Sequence, residues 1–280
     1  MAVLVDHSYG KTSIRLAKVV RTEPHHEYME MAVDIRLGGD FAASYAIGDN
    51  SKVIATDSMK NTVYVLAKEN SFGSIEELAM LLARHFVKTY GQVDRAAIEI
   101  NQTLWQRLAD RGRPHQHAFV EAGTDRRICT CDLANRKLRL TGGVTNLRFL
   151  KTAGSEFRGF VTDRYRTLKD ASDRIFATSV EAIWEYESES ADFNATFAAA
   201  RSALIETLAR HHSLSAQHTL LATGEAVLKN CPSLRSIRIA MPNLHRIAVD
   251  LQPFGLENNN EIFVPIDEPH GLIEGFIERE

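Results

Sequence analysis

Residues 29–37 read MEMAVDIRL, and this stretch decides the fold. Its apolar side chains alternate with charged or small ones: Met29, Met31, Val33, Ile35 and Leu37. A period of two is typical of a β-strand with one buried and one mostly solvated face. Residues 13–21 predict a preceding strand, joined through a connection that contains Pro24, and Gly38-Gly39 predicts the end of the second strand. The chain therefore begins with a strand pair.

Two helices are expected after this pair. The first follows Thr56-Asp57, which are good N-cap residues, although the Thr-Val-Tyr-Val run at 62–65 has low helix propensity. The second begins at Ser74, which forms a capping-box pattern with Glu77. Its apolar face contains Leu78, Leu81, Leu82 and Phe86. Strands are predicted again at 96–105 and 117–121.

The second half repeats this order. Strands are predicted at 138–150 and 179–186, helices at 192–211 and 215–230, and strands at 236–241, 246–251 and 272–277. Strand-strand-helix-helix-strand-strand, twice, indicates an internal duplication of an α+β unit, an antiparallel sheet with both helices on one face. We assign the two units to residues 1–136 and 137–280. Such units leave sheet edges unpaired, which an oligomer that closes them into a barrel would satisfy.

Composition narrows the function classes. The 280 residues are 44% apolar and 25% charged, with a net charge of −3 and no basic block. Nucleic acid is therefore excluded as a main partner, and no apolar run approaches the ~18 residues of a membrane span. The three cysteines fit a reducing compartment, and Cys129 and Cys131 are expected to share one face of a strand.

Four polar clusters are placed at the ends of predicted elements. Each also has an ordinary structural interpretation: a surface lysine, helix N-caps at Thr56, Asp57 and Ser215, and a turn at 242–245. Taken singly, these interpretations are favoured. The clusters are Tyr9-Gly10-Lys11, Thr56-Asp57, Ser215-Ala216-Gln217 and Pro242-Asn243-Leu244-His245.

Taken together, the clusters belong to longer motifs that cover nearly the whole chain. Their order and spacing resemble those of urate oxidases (uricases). The motifs are YGK at 9–11, GDNSKVIATDSMKNTVYVLAKE at 48–69, HAF at 117–119, LKTAGSEFRGF at 150–160, RTLKDASDRIFAT at 166–178, MPNLHRIAVDLQPFG at 241–255 and HGLIEG at 270–275. The resemblance implies two tandem tunnelling-fold (T-fold) domains, and oxidation of urate by O2 and water to 5-hydroxyisourate and H2O2 without a cofactor or metal.

The resemblance also implies a role for each site residue. Lys11, Thr56 and His245 would form a proton relay. Asn243 and Thr56 would hold O2 or water over the substrate. The purine would be bound by the ring of Phe157, the side chains of Leu168, Arg174 and Gln217, and the backbone of Asp57 and Ala216. In the family Lys11, Thr56 and Asp57 come from one subunit and the rest from its neighbour, which implies a homotetramer with shared sites.

The residue types suit this chemistry. Urate is a planar anion, and the fork of Arg174 with the amide of Gln217 can bind an edge that carries carbonyl and N–H groups. The ring of Phe157 can stack under it. A helix that starts at Thr56-Asp57 presents N–H groups and the positive end of its dipole to an anion. We also expect the Asp57 side chain to cap this helix.

Three alternatives remain open at this point. His115 and His117 would share a strand face and could bind zinc, but no third ligand completes a recognisable set. A pterin or purine enzyme of the same fold would need a zinc site or a nucleophilic cysteine, and neither occurs in a matching context. A non-catalytic purine-binding oligomer would be expected to lack Lys11, Thr56 or His245.

Departures from the family pattern are modest. Residues 108–146 match it least, and position 216 is Ala where a bulkier aliphatic side chain is common, which a backbone contact tolerates. The first residues lack the pattern of a secretory signal, and the last lack a Ser-Lys-Leu type tail. We therefore expect a cytoplasmic enzyme.

Overall fold

The computed structural model describes residues 3–280. Its first half follows the predicted strand-strand-helix-helix-strand-strand order and adds one short helix. These elements are β1 (Tyr9–Val20), β2 (Glu27–Gly39), α1 (Ala42–Ala46), α2 (Thr56–Glu69), α3 (Ile75–Thr89), β3 (Val93–Asp110) and β4 (Arg113–Ala134). The pairs β1–β2, β2–β3 and β3–β4 are antiparallel, which confirms the predicted sheet.

The second half repeats the order, as the duplication predicted. Its elements are β5 (Lys137–Lys151), β6 (Phe176–Tyr186), α4 (Phe193–Arg210), α5 (Ala216–Asn230), β7 (Leu234–Ala248), a 3-10 turn (Gln252–Phe254) and β8 (Phe263–Glu278). Strands β5 to β8 are neighbours in chain order, and β7–β8 is antiparallel. Among the described residues, none of the helices combines the length and the apolar character that a bilayer span requires.

The chain divides into two compact units. The first is Met1–Gly143 with Glu185–Asn194, and the second is Val144–Trp184 with Ala195–Glu280. The dividing line therefore passes through β5 and through β6. The division of the chain into domains 1–136 and 137–280 stays a prediction.

The first unit buries the alternate apolar residues of β2. Val33, Ile35 and Leu37 are fully buried, as their period of two predicted. Helix α2 forms despite its Thr-Val-Tyr-Val run because Met59, Val63 and Ala67, four residues apart, bury one stripe against β1. Tertiary packing here outweighs local helix propensity.

Helix α3 starts as the capping pattern predicted, with one difference. The Ser74 hydroxyl accepts a hydrogen bond from the Glu77 N–H at 3.2 Å. The Glu77 carboxylate accepts from the N–H of Gly73 at 2.6 Å, one residue earlier than in a standard capping box. Leu78, Leu82 and Phe86 are buried, whereas Leu81 is only partly buried.

Strand β4 is much longer than the predicted 117–121. The pairing with β3 runs from Arg113 to Ala134, with a register shift where Gly123 adopts a φ of +152°. This bulge interrupts the alternating pattern, which explains why the sequence indicated only a fragment. Cys129 and Cys131 lie beyond it, both buried and free, on one face of the strand as expected.

The predicted buried face of β6 is confirmed. Val180, Ala182, Trp184 and Tyr186 are all buried. Helix α5 packs on β7 and β8. At Gly275 of β8 a Cβ atom would lie 2.5 Å from the Leu220 side chain, so a glycine in the HGLIEG motif permits this close approach.

Candidate active site

Lys11 lies where the regular pairing of β1 ends. It pairs with Ile35 of β2, and the register then shifts before Ile14. A Cβ at the preceding Gly10 would fall 1.7 Å from the Ile35 carbonyl oxygen, so only glycine allows this approach. Ser13, with a φ of +57°, donates its N–H to Asp34 Oδ1 at 2.6 Å. The bulge that follows Lys11 gives this half-buried lysine a defined place in the strand.

Tyr9 connects the Lys11 strand to the segment before Thr56. The Ile54 N–H donates to Tyr9 Oη at 2.8 Å, and the phenol donates to the Ile54 carbonyl at 3.3 Å. Burial raises the pKa of Tyr9, which favours the neutral phenol that this pair of bonds requires. The sequence analysis gave Tyr9 no role, although its position two residues before Lys11 was a signal.

Thr56 is the first residue of α2, and the capping predicted there is wrong. Ala55 occupies the N-cap position, without a side-chain hydrogen bond to the helix. The Asp57 side chain also does not cap, because Asp57 already lies within the first turn. Its carboxylate accepts instead from Lys60 Nζ at 2.5 Å and Asn61 Nδ2 at 3.0 Å. The helix start therefore lacks a side-chain cap, which suits an incoming anion.

The Tyr9–Ile54 hydrogen bonds bring the Lys11 strand close to the start of α2, where the charge of Lys11 acts on Asp57. Lys60 is the main cause that lowers the pKa of Asp57, and the positive charge of Lys11 contributes a smaller part. Lys11, Thr56 and Asp57 are thus neighbouring residues of the first unit. Lys11 and Thr56 are far apart in the chain, and the sequence predicted that they would be grouped only through the family resemblance.

In the second unit, residues 155–157 form backbone hydrogen bonds with two other segments of the chain. The Glu156 N–H donates to the Ser213 carbonyl at 2.6 Å, and Phe157 and Ala171 exchange two backbone hydrogen bonds of 2.9 Å. Ser215, two residues after Ser213, caps α5 by accepting from the His218 N–H at 3.1 Å, as predicted. The buried Ala216 and the exposed Gln217 then begin the helix.

Arg174 is half-buried beside the ring of Phe157. Its guanidinium carbon lies 4.9 Å from the ring centroid. Burial lowers the pKa of Arg174, and its Nε has no hydrogen-bond partner among residues 3–280. A buried cationic donor without a partner is costly, so a ligand that accepts from it would be favoured. This guanidinium and this ring together can bind a planar anion.

Asp173 fixes the backbone next to Arg174. The sequence analysis assigned no role to this residue. Its carboxylate accepts from the backbone N–H groups of Ser155 and Arg174, both at 3.0 Å. The bond from Ser155 is the largest cause that lowers the pKa of Asp173. Its position directly before Arg174, a candidate binding residue, could have indicated this role.

Asn243 and His245 lie on one strand, so the turn predicted at 242–245 is wrong. Strand β7 continues through Pro242, with Asn243 opposite Gly271 and His245 opposite Ile266. The register shifts between these two pairs, and a proline is tolerated at such an irregularity. Leu244 is buried, and the two half-buried polar residues alternate with it.

The zinc alternative gains no support from the geometry. The rings of His115 and His117 are 4.8 Å apart, but His115 Nδ1 accepts from the backbone N–H groups of His117 and Ala118. Among residues 3–280, no three His, Cys, Asp or Glu side chains are grouped to hold a metal ion.

The fold and these residues define the class of protein. The chain is an α+β protein of the T-fold class whose units carry an uncapped helix start, a half-buried guanidinium and an aromatic ring. A sequence model of the uricase family matches residues 7–132 and 140–274. The chain belongs to the uricase family.

Individual relatives agree over the full length. The chain is 40% identical over 278 residues to a uricase of Arthrobacter globiformis, a match that covers 99% of this chain and 90% of that one. A uricase of Dictyostelium discoideum is 34% identical, with 100% and 98% covered. The crystal structure of the Arthrobacter uricase superposes with a TM-score of 0.95 at 39% identity, covering 100% of this chain and 96% of that one. A urate oxidase of Bacillus sp. TB-90, at 20% identity and a TM-score of 0.85 over 98% of this chain and 99% of that one, shares the fold.

Proposed function

We propose that this chain oxidises urate with O2 and water at a cofactor-free site that uses Lys11, Thr56 and His245 as a proton relay. As a member of the uricase family the chain is a urate oxidase, an oxidoreductase that acts on urate with O2. The observation that carries the proposal for the site is the half-buried Arg174, which lies beside the Phe157 ring and whose Nε has no hydrogen-bond partner within residues 3–280. It supports binding of a planar, electron-rich anion.

In this proposal the second unit binds the purine. Arg174 and Gln217 donate to its polar edge, the Ala216 backbone assists, and the ring stacks on Phe157. Leu168 packs beside it; this side chain is 57% exposed and therefore available to a ligand. Ordered backbone pairing of 155–157 with 171 and 213 supports the grouping of these residues.

Lys11, Thr56 and Asp57 supply the other half of the proposed site. The Asp57 N–H contacts the purine, and the Thr56 hydroxyl with the Asn243 amide holds O2 or water over the ring. The uncapped start of α2 supports this assignment.

The proposed reaction balances without a redox group. Deprotonated urate passes two electrons to O2, which takes up two protons and leaves as H2O2. Water then adds to the oxidised purine to give 5-hydroxyisourate. The protein removes and returns protons, with Lys11 as base and with Thr56 and His245 passing the proton onward.

We also propose a homotetramer in which Lys11, Thr56 and Asp57 of one subunit meet Phe157, Leu168, Arg174, Ala216, Gln217, Asn243 and His245 of its neighbour. The domains proposed within each subunit are 1–136 and 137–280. The proposed compartment is the cytoplasm, and the three free cysteines support a reducing location.

One assay tests the proposed reaction. Purified protein, treated with a chelator and dialysed, is given urate in air while urate absorbance and peroxide are followed. We expect equimolar loss of urate and formation of H2O2. Activity that depended on added metal would contradict the cofactor-free mechanism, and no loss of urate would contradict the function.

Arg174→Ala is expected to raise KM for urate about 10- to 100-fold, since a hydrogen bond to a charged group contributes ~1.5–3 kcal/mol. Steady-state kinetics measures this. Arg210→Ala is the matched control, because the Arg210 side chain is 81% exposed and forms an ion pair with Glu206 one helical turn away on α4. Equal KM values for the two variants would reject the assignment of Arg174.

A further inference from the structure

The segment that carries Phe157 and Leu168 has no helix or strand of its own. Between β5 and β6, residues 152–175 form only isolated bridges, such as the pair Phe157–Ala171. A side chain on such a segment has a defined orientation only if other side chains hold it. In addition to its backbone hydrogen bonds with Ser213, the segment contains side-chain contacts of this kind.

Phe160 supplies the first of these contacts. Its ring stacks on Phe157 with centroids 4.6 Å apart and planes 12° from parallel. Stacking at this distance covers one face of the Phe157 ring. In the proposed complex a planar ligand stacks on the face away from Phe160, next to the Arg174 guanidinium, whose carbon lies 4.9 Å from the same centroid, so Phe160 lies behind the Phe157 ring.

Arg166 fixes Phe160 in turn. Its guanidinium carbon lies 4.1 Å from the Phe160 centroid. In addition, it donates to Thr162 Oγ1 at 2.7 Å, to the Leu168 carbonyl at 3.1 Å and to Asp170 Oδ1 at 2.6 Å. A planar guanidinium can stack with its face while its edges donate, which lysine cannot do. Only 22% of the side chain is exposed.

The geometry points to a support for the Phe157 ring, on which the substrate is proposed to stack. We propose that Arg166 and Phe160 are positioning residues: Phe160 holds the Phe157 ring, and Arg166 holds both Phe160 and the backbone of Leu168. Of the three proposed substrate contacts on this segment, Phe157 and Leu168 thereby depend on the Arg166 side chain, whereas Arg174 does not. The inference rests on the proposed function, because it assigns the face of Phe157 away from Phe160 to urate.

Kinetics of four variants tests the proposal. Arg166→Ala and Phe160→Leu are expected to raise KM for urate about fivefold or more, with kcat within about twofold, because they loosen binding without touching the proton relay. Phe160→Tyr keeps the ring and should restore the KM of the unmodified chain. Arg164→Ala is the matched control: it removes the same charge from the same segment, but its ring contact is Tyr165, which is 72% exposed.

The outcomes separate the two proposals. A rise in KM for Arg166→Ala and Phe160→Leu, absent in Phe160→Tyr and Arg164→Ala, supports the positioning role. Unchanged KM in Arg166→Ala, or a loss of kcat alone, overturns it while urate oxidation by the unmodified chain stands. If the unmodified chain fails to oxidise urate, the proposed function falls and this inference falls with it.

Discussion

Lys11→Met is expected to lower kcat for urate oxidation by about 10²- to 10⁴-fold, the range that a positioned acid or base contributes. The substitution keeps the length of the side chain and its place on β1 but removes the amine. Since Gly10 and the bulge before Ile14 set the backbone there, the fold should be unchanged. Stopped-flow or steady-state assays give kcat, and size-exclusion chromatography checks assembly.

Two comparisons sharpen this result. Thr56→Ala should lower kcat in the same direction, because the relay then loses its hydroxyl. Lys68→Met is the matched control, since Lys68 is exposed near the far end of the same α2 helix. Near-normal turnover of Lys11→Met, or an equal loss in the Lys68 variant, would remove Lys11 from the mechanism.

Mixed assemblies test whether the relay crosses a subunit boundary. Lys11→Met and His245→Ala subunits, each inactive alone, are unfolded, mixed and refolded together. If one subunit supplies Lys11 and its neighbour His245, random mixing should give about a quarter of the sites with both native residues. If both came from the same chain, mixing would restore nothing.

Arg127→Met is expected to lower the free energy of unfolding by about 3–5 kcal/mol, because it leaves the Glu76 carboxylate buried without its cation. Arg127 and Glu76 form a 2.7 Å ion pair with side chains 7% and 0% exposed. The same guanidinium donates to Asn194 Oδ1 at 2.7 Å, and Tyr186 donates its hydroxyl to Glu76 at 3.1 Å. Burial raises the pKa of Glu76, and the charge of Arg127 opposes that rise.

Urea denaturation at equilibrium measures the effect, and Arg139→Met is its control. Arg139 pairs with Glu185 at 2.7 Å in the same unit, but its side chain is 68% exposed. An exposed pair contributes about 0–1 kcal/mol. A loss of stability in the Arg127 variant no larger than in the Arg139 variant would show that the buried pair does not stabilise the fold.

Much of the secondary structure followed from local patterns. These patterns each depend on residues only a few positions apart, so they can be recognised in the sequence. They are the alternating residues of β2 and β6, the Ser74 and Ser215 caps and the apolar faces of the helices. The prediction was wrong where a bulge or a proline broke the period, in β4 at Gly123 and in β7 at Pro242. At those positions pairing with the neighbouring strand, and not the local pattern, kept the strand extended.

The candidate site was harder to predict from the sequence than the secondary structure. Long motifs identified the family, but the side-chain cap at Asp57 was predicted wrongly because the sequence does not say where in the first turn a residue falls. Tyr9, Asp173, Phe160 and Arg166 received no role, since each acts on another site residue through a contact that only the folded chain forms.

By itself, then, the sequence determined the order of strands and helices, the duplicated α+β unit and membership in a family of urate-oxidising enzymes. Only the tertiary structure decided that Arg174 lies beside Phe157, that Arg166 reaches Phe160, and that a glutamate in the first turn of α3 is buried against Arg127. The reason is physical. Periodicity and capping are local and leave a pattern in consecutive residues, whereas burial and pairing join positions as distant as Glu76 and Arg127, 51 residues apart, and leave none.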